Sequence, residues 1–254
     1  LSTNSEHFEN PLILAVETSG RLGSVALAQG DKLLAEKQFS GPMRHSAEIF
    51  PAIIELLSKF NKKPGQIEHV YISAGPGSFT GLRIAVTFAK TMALANQTKI
   101  VAVDTLDVIA ANVINLTSGS PSSVIGPPSS DLGVILDAKR GQFFIAVYNK
   151  TQNAERSPQD AIWNKILPDS LMTAEAFLAQ LSNQPISLIG EGLVFYKDKF
   201  SNASVRILDE KFWNPSAANV YRLGWEKAKL GDFADPLTLT PNYIRGPDVK
   251  IKQM

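Results

Sequence analysis

The chain has 254 residues and a mass of 27.6 kDa, enough to bury a core without a metal or disulfide. Its 25 Lys and Arg against 24 Asp and Glu leave a formal charge of +1, which excludes a dominant electrostatic footprint for nucleic acid but not a local basic patch. Cysteine is absent, and with it disulfides, thiolate nucleophiles, Cys-ligated zinc and iron–sulfur clusters.

Residues 1–10 are polar and lack the apolar run of a signal peptide. The apolar stretches are of strand length, too short for a bilayer, so a cytoplasmic protein with no membrane association is expected. Residues 12–16 form a short branched apolar run, a buried strand. Glu17-Thr18-Ser19-Gly20-Arg21 interrupts it with turn formers, and residues 22–29 resume as a second strand. Residues 33–39 read as a third strand, nearer an edge. A wide apolar stripe predicts a helix over 45–60, which Pro51 is expected to kink or to break near its first turn. Residues 70–74 and 100–103 are further strands, each followed by a helix, over 80–96 and 105–114. Three antiparallel strands followed by two strand–helix units imply a mixed sheet with helices on both faces, in the order of the ribonuclease-H-like fold.

Ser, Pro and Gly dominate residues 115–130, the one strong boundary signal. The expected units are therefore a domain over 11–115, a linker or loop over 116–130, a second, reduced α/β domain over 131–231 and a tail over 232–254. In the second domain, strands are expected at 132–136, 142–148, 161–167 and 186–189, with helices at 173–181 and 216–229. No repeat between the halves is visible at the level of letters.

The sharpest local signal is Gly75-Pro76-Gly77-Ser78-Phe79-Thr80-Gly81-Leu82-Arg83, which joins a predicted strand to a predicted helix. Such a loop can seat an anion on free helix N–H groups, with Ser78 or Thr80 as cap and Arg83 in the first turn. It can equally be a tight turn whose glycines let the helix pack closely. It is neither a Walker A loop nor a dinucleotide fingerprint. Glu17, Thr18, Ser19 and Ser24 are pocket candidates near strand ends, and Glu17, Asp104 and Asp137 are the strand-end carboxylates a phosphotransferase would use for magnesium or as base. Nothing in the sequence pairs any two of them, and Gly190-Glu191-Gly192 reads only as a turn. The histidines are His7, His45 and His69; none has a second histidine one helical turn away, so no metal site is expected. The helices over 45–57 and 80–96 carry more apolar residues than one sheet face can cover. His45, Ile49, Ile53, Leu82, Val86 and Ala89 are candidates for a helix-to-helix partner interface.

Taken together these segments resemble the TsaB (YeaZ) family. The resemblance rests on Leu14-Ala15-Val16-Glu17-Thr18-Ser19 with Gly23-Ser24-Val25-Ala26-Leu27, on Arg44-His45-Ser46-Ala47-Glu48, and on Ser73 through Ile84. It continues in Asp137-Ala138-Lys139-Arg140-Gly141 and Pro241-Asn242-Tyr243-Ile244-Arg245. It is dense over 12–109 and thinner beyond; the leader before Pro11 and the long segment 117–130 depart from the family pattern. It implies a two-lobed fold of the actin, sugar-kinase and Hsp70 type (ASKHA). It also implies a non-catalytic subunit that pairs with the catalytic paralogue TsaD and the ATPase TsaE in tRNA threonylcarbamoyladenosine synthesis. The nucleotide site would be degraded to remnants at Glu17, Thr18, Ser19, Ser24, Asp104 and Asp137. No cofactor would be intrinsic, ATP and a metal ion residing on the partner subunits. A homodimer is the expected alternative pairing when the partner is absent. Contacts to tRNA would arise only within the complex, with Lys139, Arg140, Arg245, Lys250 and Lys252 as available cations. The rival reading is a free-standing ATP-dependent phosphotransferase of the same fold, working through Glu17 or Asp104.

Overall fold

The structure is a computed structural model and describes residues 10–114, 131–151 and 162–245. The leader, the Ser/Pro-rich segment, His7, Lys250 and Lys252 lie outside the described residues. Two five-stranded mixed sheets form the frame. The first contains β1 (Leu12–Glu17), β2 (Ser24–Gln29), β3 (Lys32–Gln38), β4 (His69–Gly75) and β5 (Lys99–Asp104), in the order β3-β2-β1-β4-β5. The second contains β6 (Asp131–Asp137), β7 (Gln142–Thr151), β8 (Ile162–Thr173), β9 (Ile186–Ile189) and β10 (Val205–Ile207), in the order β8-β7-β6-β9-β10. Each central strand, β1 or β6, pairs antiparallel with the strand that follows it and parallel with the fourth strand of its half. The halves are thus one topology used twice, a repeat carried by strand order and not by letters.

The period of two along β1 dictates what covers it. Leu12, Leu14 and Val16 face one side and pack with Ile49 and Ile53 of α1 (His45–Lys59) and Ala85 and Ala89 of α2 (Phe79–Asn96). Ile13 and Ala15 face the other side and pack with Val220 and Tyr221 of α6 (Ala217–Lys229). The expected boundary places this last helix in the second domain, but it lies on the first sheet. Its apolar stripe covers a face that α1 and α2 leave bare, and chain order gives no sign of this. In return, Leu106, Ile109 and Val113 of α3 (Thr105–Ile114) enter the core of the second sheet. Where α3 and α6 cross, buried Asn219 donates Nδ2 to Val108 O at 3.2 Å and to Asn112 Oδ1 at 2.7 Å.

Three further expectations change. Helix α1 runs through Pro51. Ala47, whose carbonyl loses its i+4 donor, and Pro51 both lie on the exposed face, where water can replace the missing bond. Strand β8 extends past 167 to Thr173; its ladder with β7 slips between Ile145 and Val147, opposite Pro168, so a bulge absorbs the proline. The short strand β10 and the four-residue helix α5 (Leu193–Tyr196), which follows α4 (Ala174–Gln180) and β9 in the chain, carry no clear sequence signal.

The proposed partner face is corrected most. Ile49, Ile53, Leu82, Val86 and Ala89 are buried in the first half's own core, and His45 is buried beside them. They lie on the side of α1 and α2 that covers the sheet, while the next residues along α1, Phe50 and Ile54, are carried about 100° round the helix to the side that faces out. The surplus the sequence reveals is real but sits elsewhere: Phe50 is 61% exposed and Ile54 53%.

Packing of α6 on the first sheet has a direct test. A Cβ on Gly224 would lie 2.6 Å from the Tyr71 ring. Gly224→Ala is expected to cost about 1–3 kcal/mol through overpacking, read as a lowered midpoint in a urea melt. An unchanged midpoint would place α6 away from Tyr71.

Candidate functional site

The carboxyl ends of β1, β4, β6 and β9 converge on one cleft, where ligands of parallel and mixed sheets are commonly held. It has a volume of about 740 Å³ and is bordered by the β1–β2 turn, the glycine loop, the β6–β7 turn, the β9–α5 corner and the tail. Ser19, Gly77, Ser78, Asp137 and Glu191 line it; Asp104 and Ser24 do not.

Glu17 closes the base of the first turn. Its carboxylate accepts from Ser19 N at 2.6 Å and Ser19 Oγ at 2.5 Å, and from the Ser73 hydroxyl. Burial pushes its pKa above the ordinary 4.5, and the hydrogen bonds from Ser19, Ser73 and the Gly20 backbone oppose that push. It is fully buried and faces no solvent. The next N–H, that of Arg21, donates to both oxygens of Glu191 at 2.8 and 3.0 Å. Two of the three successive turn donors, the N–H groups of Ser19 and Arg21, are therefore engaged by carboxylates of the chain itself.

The glycine loop takes its packing role. A Cβ on Gly77 would sit 2.6 Å from Ser19 O, and one on Gly81 1.8 Å from Thr18 O. Thr18 Oγ1 donates to Gly81 O at 2.8 Å, Ser78 N donates to Ser19 O at 2.8 Å, and Ser78 caps α2 through Gly81 N. Gly75, with φ +119°, turns the chain beneath Asn242, whose N–H donates to Ala74 O at 2.7 Å. Thr80 opens toward the helix groove described below. Arg83 does not reach an anion seat: its guanidinium stacks 3.8 Å over the Phe79 ring and its Nε donates to Tyr243 Oη at 3.2 Å.

The other candidates separate. Ser24 Oγ accepts from Ala217 N at 2.8 Å and so helps cap α6. Asp104 belongs to a charged cluster with Asp107 and Lys165, its carboxyl pushed up by burial and by Asp107. Asp137 does line the cleft but is bound by Lys139 N at 2.7 Å and Lys139 Nζ at 2.6 Å. Arg245 donates to Ala138 O at 2.5 Å and to the Gln142 side chain, tying the tail to the β6–β7 turn. His45 Nε2 bonds Gly20 O at 3.0 Å, and burial lowers its pKa. Among the described residues no group of three or more His, Asp or Glu side chains is gathered for a metal, and no helix is long and apolar enough to cross a membrane.

Sequence reasoning left Glu191 as an ordinary turn residue. The signal was present in the topology: Gly75-Pro76-Gly77 and Gly190-Glu191-Gly192 both stand at the carboxyl end of the fourth strand of their halves, and Gly75 and Gly190 share φ +119°. A second feature lies outside the cleft. Helices α1 and α2 frame an apolar groove of about 610 Å³ bounded by Phe50, Phe79, Ile84, Phe88 and Met92, with Ile49 also contributing. Phe50 and Phe88 meet edge to face with centroids 6.0 Å apart.

Two sheets of one strand order facing a shared cleft define the two-lobed ASKHA class, built on ribonuclease-H-like units. Residues 40–231 match the family model described as TsaD, tRNA N6-adenosine threonylcarbamoyltransferase, and the chain belongs to that family, in its TsaB (YeaZ) group. It is 28% identical over 249 residues to the tRNA threonylcarbamoyladenosine biosynthesis protein TsaB of Bacillus subtilis, covering 94% of this chain and 96% of that one. It is 22% identical to the protein of the same name from Escherichia coli, covering 92% and 94%. The solved structure of YeaZ from Pseudomonas aeruginosa superposes with a TM-score of 0.73 at 20% identity, covering 92% of this chain and all of that one.

The state of Glu17 has a pH signature. Its folded pKa lies above the unfolded value of 4.5, so above that pH the folded chain keeps a proton the unfolded chain has released, and stability falls as pH rises through the folded pKa. In Glu17→Gln the amide can bond both Ser19 and Ser73. The variant is expected to fold, and its stability to fall less steeply with rising pH in urea melts. An identical slope in both proteins would show that Glu17 is ionised at its ordinary pKa.

Proposed function

We propose that the chain serves tRNA threonylcarbamoyladenosine synthesis as a non-catalytic subunit that pairs with a TsaD-type transferase, in an assembly joined by the ATPase TsaE. The observation that carries this reading is the β1–β2 turn. A phosphate group entering the cleft would find the Ser19 and Arg21 N–H groups already bound to Glu17 and Glu191. Asp104 and Asp137 are bound elsewhere and do not converge with Glu17 on one metal position. ATP and a metal ion are accordingly assigned to the partner subunits.

The names of the relatives support the pathway, and the α1–α2 groove supports the pairing. Phe50, Ile84, Phe88 and Met92 offer a partner helix the apolar contact that helix-in-groove docking uses. The same face can receive a second copy of this chain when the transferase is absent. With a formal charge of +1, the lone chain is expected to bind tRNA weakly, contacts being made through the complex. Lys139 and Arg245 are already held by Asp137 and by the β6–β7 turn, which leaves them few free bonds for a phosphate. These properties fit a protein of the cytoplasm.

Phe50→Asp tests the pairing without touching the core, because that ring is 61% exposed. The variant is expected to keep its circular dichroism and melting temperature. It is expected to lose about 2 kcal/mol of binding to the transferase, on the order of 30-fold in affinity, and to restore tRNA modification poorly in a reconstituted system. Wild-type affinity in the variant would remove the groove from the interface. Repeated ATP turnover by the purified chain alone, abolished by Glu17→Gln, would favour a free-standing phosphotransferase.

A further inference from the structure

One peptide unit in the cleft is held at both ends by titratable side chains from different parts of the molecule. The carbonyl of Gly20 faces His45 Nε2 at 3.0 Å. A carbonyl can only accept, so the ring proton is on Nε2, and Nδ1 is left buried without a partner. The N–H of the same peptide, on Arg21, donates to both oxygens of Glu191 at 2.8 and 3.0 Å. His45 opens α1 on the first half, and Glu191 stands on the β9–α5 corner of the second. The carboxylate is walled in: a Cβ on Gly20 would lie 2.2 Å from Glu191 Oε1 and 2.9 Å from Pro215. Arg21 also reaches across, its guanidinium 4.7 Å over the ring of Phe195.

We propose that Glu191 is a proton-linked latch between the two halves, which closes the cleft when seated neutral on the Gly20–Arg21 peptide and lets it open when ionised. This goes beyond the role in tRNA modification and does not depend on it. The charged groups around Glu191 are Glu17 from β1, Arg21 from the β1–β2 turn, and Asp137 and Lys139 from the β6–β7 turn, the last two paired with each other at 2.6 Å. Arg140 and Arg245 border the same cleft; the α6 approach contributes Pro215, which has no charge. Burial pushes the Glu191 carboxyl up to about 7, Glu17 adds to the push, and the Arg21 N–H and the charges of Arg21 and Lys139 oppose it.

The sign follows from linkage. A carboxyl that reaches water has its ordinary pKa of 4.5, against about 7 when seated, so the closed form retains a proton over the range in which the open form has lost it. Raising the pH through that range shifts the balance toward the open form. The full effect, ten raised to the pKa difference, is about 300-fold in the closed-to-open ratio.

The chain has no cysteine, so Met43→Cys and Ala203→Cys can carry one spin label on each half of the full chain. Pulsed electron spin resonance is expected to show the longer distances gaining population as pH rises through about 7, the value of the seated carboxyl. With Glu191→Gln added, which keeps the side chain neutral, the distances should stay short at every pH. Equal lengthening in the Gln variant, or constant distances in the labelled protein with Glu191 intact, would overturn the latch. Should Glu191→Gln not fold, the Arg21 amide resonance of the unsubstituted chain decides. A shift that titrates near the same pH supports the latch, and a flat one overturns it.

Discussion

The fold turns on how tightly the β1–β2 turn is packed. Five residues from three distant segments meet there: Ser73 of β4 on Glu17, Gly77 and Gly81 against the Ser19 and Thr18 carbonyls, His45 on Gly20, and Glu191 on Arg21. Close approach is possible only because the glycines present no Cβ to those carbonyls. A side chain at Gly81 would push the α2 terminus from β1, and the helix groove that α2 helps to frame would move with it. The chemistry of the cleft and the shape of the outer groove are therefore set by one contact.

The same contact explains how a fold built around a ligand cleft comes to have donors of its first turn already taken, those of Ser19 and Arg21. Backbone N–H groups that converge on a small volume make an anion seat. Here the seat is filled from within, by Glu17 from below and Glu191 from across the cleft. Burying two carboxylates so close is unfavourable, and both titrate above their ordinary value because burial disfavours charge. The hydrogen bonds from Ser19, Ser73 and Arg21 offset part of that cost. An apolar groove stays open on the outer side, between α1 and α2.

Much of this was legible in the residues. The continuous apolar run of β1, the strand–loop–helix at Gly75 and the Thr173 cap of α4 follow from local chemistry, and the structure has them at those places. What failed was everything that depends on which neighbour an element chooses. Ala89 and Phe50 both sit on apolar helices, and the sequence ranks neither face as the covered one; the sheet decides, burying Ala89 and leaving Phe50 out. The return of α6 to the first sheet and the reach of Glu191 across the cleft are tertiary in the same way. The repeated strand order offered a route to Glu191, since its G-x-G corner occupies the place of Gly75-Pro76-Gly77 in the other half.

Oxidative footprinting of the chain with and without a TsaD-type transferase tests most directly whether the outer groove, and not the cleft, is the working surface. Phe50, Phe88 and Met92 border the groove, while Phe195, 66% exposed, borders the cleft. Protection of the first three on adding the transferase, with Phe195 oxidised as before, is the expected result. Protection of Phe195 with Phe50, Phe88 and Met92 unchanged would contradict it.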